Sequence, residues 1–152
     1  MASPSSTPQS LIPQQIVVFS LGEEEYGLPI TQVQEIIRYS EPRAVASHVA
    51  WMRGVISLRG QIIPVIDLAA RLGLSTASSE PGKIIIVETE SLNAGIVVDE
   101  VQEVLTLKGD DTEPLPTAGN DALQAIAKVG DRLVVLLDAR GLFASTELGQ
   151  AA

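Results

Sequence analysis

The stretch Arg53-Gly54-Val55-Ile56-Ser57-Leu58-Arg59-Gly60-Gln61-Ile62-Ile63-Pro64-Val65-Ile66-Asp67-Leu68 decides the fold. Two runs rich in β-branched residues flank Arg59-Gly60, which predicts a strand, a tight turn and a returning strand. Gly60 supplies the backbone freedom such a turn needs. Pro64 has no N–H to give to a ladder, so an edge position or a bulge is expected there. Asp67 stands where an N-cap belongs, ahead of Leu68-Ala69-Ala70-Arg71-Leu72, and Gly73 supplies the stop, so one short capped helix follows. Arg59, set between aliphatic strands, should find a carboxylate. Glu35 is the candidate, because an internal repeat places it in an equally apolar setting.

The same texture runs through the rest of the chain. Ile16-Val17-Val18-Phe19, Lys83-Ile84-Ile85-Ile86-Val87, Gly95-Ile96-Val97-Val98 and Arg132-Leu133-Val134-Val135-Leu136-Leu137 are short aliphatic bursts bounded by Gly, Glu, Asp and Ser. Such bursts read as buried strands rather than long helices. Gly22-Glu23-Glu24 and Ser91-Leu92-Asn93 read as tight connections between paired strands. Pro29-Ile30-Thr31-Gln32 reads as a single turn. The run Glu23-Glu24-Glu25 reads as a solvated hairpin tip.

The repeat organises these pieces. Gln15–Ile37 aligns without a gap on Lys83–Leu105, and Gly27, Val33, Gln34 and Glu35 recur as Gly95, Val101, Gln102 and Glu103. A second match follows in the same order: Arg59–Asp67 faces Val129–Asp138 with one extra residue in the later copy. Each half has about the length of a small five-stranded barrel, which would remove exposed sheet edges. Residues 14–145 are therefore expected to form one unit, with sub-barrels at about 14–80 and 81–145 and a groove between them. Ser75–Gly82 is the expected connector, Gly109–Asn120 a long surface loop, and residues 1–13 and 146–152 flexible tails.

Composition narrows the chemistry. The chain has 152 residues, 45% of them hydrophobic, enough for a sizeable core. Ten Lys+Arg against nineteen Asp+Glu give a formal charge of −9, which repels phosphate backbones and anionic membranes. There is no cysteine, which excludes disulfides, thiolate metal sites and a cysteine nucleophile. No apolar run approaches the length of a membrane span, and Met1–Gln15 lacks the basic start of a secretory signal.

No cofactor motif is present, and His48, the single histidine, has no second ligand nearby, so it reads as a loop residue. No metal or cofactor site is expected. Asp67 and Asp138 end equivalent strands, as in a paired-carboxylate protease. The residues that follow, Leu68-Ala69 and Ala139-Arg140, lack the hydroxyl and glycine of such a dyad. Each Asp fits better as a helix cap.

The Gly54–Leu68 stretch resembles the hallmark of the chemotaxis coupling (CheW-like) proteins. So, in order and spacing, do Glu25-Tyr26-Gly27-Leu28, Val33-Gln34-Glu35-Ile36 and Ala94-Gly95-Ile96-Val97-Val98-Asp99. The resemblance covers about Gln15 to Phe143. Ser57 stands where the family usually has Asn, and Ala46-Ser47-His48 lacks a frequent Pro; both departures are local.

The resemblance implies a mostly β fold of two five-stranded SH3-like barrels with few short helices and no active site. It implies a cytoplasmic adaptor, recruited to receptor arrays at the inner face of the membrane. Its partners would be the cytoplasmic tip of a chemoreceptor, the regulatory domain of the histidine kinase CheA, and other CheW-like domains in rings. Carried over by position, a receptor groove would involve Val33, Gly95, Val98, Val101 and Val104, with Ile84 nearby, and Gly54, Glu35 and Arg59 would support or flank it. The alternatives are a coupling protein of a pilus or gliding pathway and a structural oligomeric barrel protein.

Overall fold

The computed structural model describes residues 15–46, 50–74, 81–89, 93–115 and 122–143. Eleven strands are formed among the described residues: β1 (Gln15–Leu21), β2 (Glu24–Pro29), β3 (Val33–Arg38), β4 (Met52–Leu58), β5 (Gln61–Asp67), β6 (Lys83–Glu88), β7 (Asn93–Val98), β8 (Glu100–Thr106), β9 (Thr112–Pro114), β10 (Leu123–Val129) and β11 (Arg132–Leu137). The helices are single turns: α1 (Leu68–Arg71), α2 (Ala139–Leu142), and 3-10 turns at Ile30–Gln32 and Gly109–Asp111. His48, Ser91-Leu92, most of the expected connector and both expected tails lie outside the described residues.

The strands form two sheets, ordered β8-β1-β2-β11-β10-β9 and β3-β6-β7-β5-β4. This corrects the expected division at residue 80. The first two strands of the first half, β1 and β2, join β8, β10 and β11 of the second. Strands β6 and β7 of the second half join β3, β4 and β5 of the first. The two sheets are equivalent strand for strand, with β9 added to one edge. Each is completed by strands from the opposite half.

The equivalence extends to the irregularities. The β1–β8 register shifts between Val18 and Phe19, skipping Gln102, and the β3–β6 register shifts between Val33 and Glu35, skipping Gln34, its repeat partner. The β4–β5 shift at Arg53 is matched by the β10–β11 shift at Gln124. Asp67 N–H donates to Trp51 O at 2.8 Å, and Asp138 N–H donates to Ala122 O at 3.0 Å. The hairpin closures Leu58↔Gln61 and Val129↔Arg132 are equivalent too. The second match therefore needs no insertion: residue n of β4–β5 corresponds to residue n + 71 of β10–β11. Arg59 corresponds to Gly130 rather than to Val129.

Three apolar clusters hold this arrangement. Ile16, Val18, Val134 and Leu136 fill the interior of the first sheet, and Ile63, Val65, Ile84, Ile86 and Val97 that of the second. A larger shared core occupies the seam between them, with Phe19, Tyr26, Leu28, Ile66, Ile85, Ile96, Leu137 and Leu142. There Phe19 and Tyr26, directly opposite on β1 and β2, stack with ring centroids 6.1 Å apart. Gly27 and Gly95 sit where parallel strands approach. A Cβ on Gly27 would lie 2.8 Å from Ile16 Cδ1, and one on Gly95 would lie 2.8 Å from Ile84 Cγ2. The aliphatic side chains take the space the glycines leave.

Pro64 proves to be neither on an edge strand nor in a bulge, since β5 lies between β4 and β7. Val55, its partner on β4, gives its N–H and C=O to Arg43 on the far side, so Val55↔Pro64 is a non-hydrogen-bonded pair. Pairing of β5 with β7 begins only at Val65. The missing N–H is thus needed by neither neighbour. Within the expected loop at 109–120, Thr112–Pro114 forms the edge strand β9 on β10, with Pro114 at its end.

Candidate protein-docking surface

Arg59 and Gly60 form the two-residue turn of the β4–β5 hairpin, and both have positive φ, 52° and 81°. That is the combination a type I′ turn requires. Arg59 is the one non-glycine with positive φ among the described residues. The left-handed conformation costs an ordinary side chain about 1–2 kcal/mol, and the equivalent position, Gly130, avoids the cost. The turn itself therefore does not call for arginine. Its guanidinium forms a bidentate pair with Glu35 on β3, Nη1 to Oε1 and Nη2 to Oε2 at 2.9 Å. The pair expected from the sequence is formed. It ties the hairpin tip to β3, the strand at the opposite edge of the same sheet.

The other sheet has a matching device. Arg132 at the start of β11 donates to both carboxylate oxygens of Glu25, at 3.1 and 3.2 Å, and also pairs with Glu103, the repeat partner of Glu35. Glu23 and Glu24 are exposed as a hairpin tip should be, whereas Glu25 is half-buried in this ion cluster.

Arg59 holds the Glu35 carboxyl below its ordinary value of 4.5, mainly by its hydrogen bond. A lowered folded pKa means that the pair contributes above pH 4.5 and is lost as the pH falls through the folded value. Carboxyl NMR titration should therefore give Glu35 a midpoint below 4.5, returning towards 4.5 in Arg59→Asn. A wild-type midpoint at or above that value would contradict the pairing.

The residues expected at a groove separate by exposure. Val33 and Val101, repeat partners, are half-buried at the rim of the shared core. Val104 on β8 is 49% exposed. Glu35 and Arg59 reach the surface as described. Ile84, Gly95 and Val98 are buried, Ile84 inside the second sheet and Val98 in the shared core. Ile84 and Val98 thus present no side-chain surface in this structure, and Gly95 has no side chain to present. Gly54 is also buried, with φ of 146° and Arg43 O placed 2.2 Å from where a Cβ would stand.

Other exposed apolar positions were not expected from the sequence: Ile62 is 68% exposed, Leu133 60%, Val45 43%, Ile36 39% and Ile30 38%. Ile36 with Val104 and Ile62 with Leu133 are equivalent pairs, whereas the repeat partner of Ile30, Val98, is buried. Strand parity carried the signal: Ile63 and Val65 point inward, so Ile62 between the turn and Ile63 must point out. Ile62 lines a cleft with Ser40, Glu41, Arg43, Val55 and Ser57. Leu133 lines one with Ser20, Glu23, Glu24, Glu100 and Gln102. Val55, Ile56 and Ile62 make the first cleft largely apolar, whereas Leu133 is the single apolar side chain of the second, which is lined by four glutamates. Asp67 and Asp138 are occupied as caps, accepting from Ala70 N–H at 3.3 Å and Arg140 N–H at 3.2 Å. Among the described residues, no cluster of metal-ligating side chains is present and no helix is long and apolar enough to cross a membrane.

This geometry belongs to a known group of proteins. Residues 15–147 match the model of the CheW-like domain. The chain belongs to the CheW-like family. It is 33% identical to the chemotaxis protein CheW of Klebsiella aerogenes, over 97% of this chain and 92% of that protein. Its identity to the chemotaxis protein CheW of Bacillus subtilis is 31%, covering 85% of this chain and 86% of that one. A solved CheW-like structure, the scaffolding protein TtCheW of Thermoanaerobacter tengcongensis, superposes with a TM-score of 0.78 at 37% identity, covering 87% of this chain and 93% of that chain. The mostly β CheW-like fold expected from the resemblance is thus shown, with a sixth strand, β9, on one of its two sheets, and the chain is a chemotaxis-type adaptor of that family.

Proposed function

We propose that this CheW-like chain couples the cytoplasmic tip of a chemoreceptor to the histidine kinase CheA, acting by binding and not by catalysis, in the cytoplasm at receptor arrays. The observation that carries the reading is the duplication of exposed apolar residues by the repeat. Ile36 and Ile62 on one sheet recur as Val104 and Leu133 on the other, so the chain exposes aliphatic side chains at equivalent places on both sheets. Isolated exposed aliphatics are ordinary, but the same positions left open in both copies are not a matter of filling space. A bridging protein needs two such faces, and the unequal charge around them lets each select its own partner. The aliphatic rim of Val33, Val101 and Val104 suits the apolar stripe of a receptor helix.

Val104→Glu tests the receptor assignment. Val104 is half exposed, so a carboxylate there stays solvated and the fold is retained, while desolvating it under a helix would oppose binding. Receptor-tip affinity should fall by about tenfold or more, measured by calorimetry with circular dichroism as the folding control. Unchanged affinity would remove Val104 from the receptor surface. Co-sedimentation with the CheA regulatory domain tests the kinase arm, and absence of binding at micromolar concentrations would count against coupling.

A further inference from the structure

The two single-turn helices occupy equivalent places in the repeat, and a side chain of α1 reaches the end of α2. Helix α1 closes on itself. Gly73, at φ of 79°, lets its own N–H reach Ala70 O at 3.1 Å and lets Leu74 N–H reach Ala69 O at 2.9 Å. This is the Schellman arrangement, which satisfies the last carbonyls of a helix. In helix α2 the position equivalent to Gly73 is Ala144. The carbonyls of Gly141 and Leu142 accept from a side chain of α1. Arg71 Nε donates to Leu142 O at 2.9 Å, and Nη2 donates to Gly141 O at 3.1 Å.

Three further observations bear on this contact. The guanidinium of Arg71 lies over the ring of Trp51 at 5.6 Å, which fixes its plane towards α2. The residue equivalent to Arg71 in α2 is Leu142, so the contact exists once and not twice. The beginning of α2 is held separately: Gln32 Oε1 accepts from Ala139 N–H at 2.8 Å, and Gln32 Nε2 donates to Asp138 Oδ1 at 2.9 Å. Helix α2 is therefore gripped at both ends by side chains from outside its own strand run. Its inner face, Ala139, Leu142 and Phe143, is buried in the core that fills the seam.

We propose that α2 is a strap closing the seam between the two sheets, releasable on its own, and that Arg71 is its latch. A four-residue helix has too few internal hydrogen bonds to hold itself closed, so its opening is set by its docking contacts. Gln32 anchors the start and acts as the hinge. Arg71 secures the end. Release turns Leu142 and Phe143 out of the shared core and uncovers the apolar seam beside Trp51, while the ladders of both sheets stay intact. The inference stands apart from the choice of partner.

Arg71→Met tests it, because Met keeps an unbranched apolar stem beside Trp51 and removes the donors. The readout is amide hydrogen exchange of the full chain, followed at Leu142 and Phe143, whose N–H groups donate to Asp138 O and Ala139 O at 3.0 and 3.2 Å. Exchange at these two amides should accelerate by about tenfold or more, since hydrogen bonds from a charged donor are lost. Exchange at Leu136 and Ile85, in the two sheets, should stay unchanged. Arg71→Lys, which restores a charge and a donor, should fall between the two. Equal acceleration everywhere, outright unfolding of the variant, or no change at Leu142 and Phe143 would each overturn the strap.

Discussion

Gly54→Ala is expected to destabilise the chain by on the order of 4 kcal/mol, enough to leave a marginally stable domain largely unfolded at physiological temperature. Two causes act at one atom. The backbone at Gly54 has φ of 146°, a region that side chains rarely enter. The added methyl would also stand 2.2 Å from Arg43 O and 2.7 Å from Arg43 C, both of them backbone atoms. No rotamer relieves a clash with backbone, so the segment carrying Arg43 must move. That movement breaks the reciprocal bonds of Arg43 and Val55, at 2.8 and 2.9 Å. The control is Gly60→Ala, where φ is 81° and nothing lies within 4 Å of the new atom. Its cost should be limited to about 1–2 kcal/mol, the left-handed penalty alone. Chemical denaturation of the two variants measures the difference, and equal losses would show that Gly54 is held by conformation only.

The second large effect concerns binding. Ile62→Glu and Leu133→Glu change equivalent, exposed positions, so both variants should fold with wild-type cooperativity. Each should lose about tenfold or more in affinity for one partner and little for the other, because the two faces lie on different sheets. Leu133→Glu adds charge to a cleft already lined by Glu23, Glu24 and Glu100, so its loss should shrink as salt is raised. Parallel titrations with a receptor tip and a kinase regulatory domain decide the matter. Equal loss of both partners in either variant would show a single shared face, and unchanged affinities would show that neither residue is a contact.

The Arg59–Glu35 pair could be read from the sequence, through the repeat, although Arg59 stands at an exposed turn where a charge does not require a partner. The cap residues Asp67 and Gly73 also follow from local chemistry, because a helix end must satisfy its own N–H and C=O groups wherever it is. The exposed apolar residues were harder. A continuous run such as Ile62-Ile63-Pro64-Val65-Ile66 has no polar alternation to show which side faces water. Ile84 and Val98, carried over by family position, lie in runs of the same kind and are buried.

Strand composition, the turn at Arg59-Gly60 and the twofold repeat are local in origin, and the amino-acid order alone determined them. Tertiary structure alone decided which half completes which sheet. β1 and β2 pair with β8 and β11 rather than with β3 and β5. The repeat makes the two choices alike in local pattern, so no strand sequence can distinguish them. They differ only once the whole chain is closed, when the exchanged pairing lets Phe19, Ile66, Ile96 and Leu137 share one core across the seam.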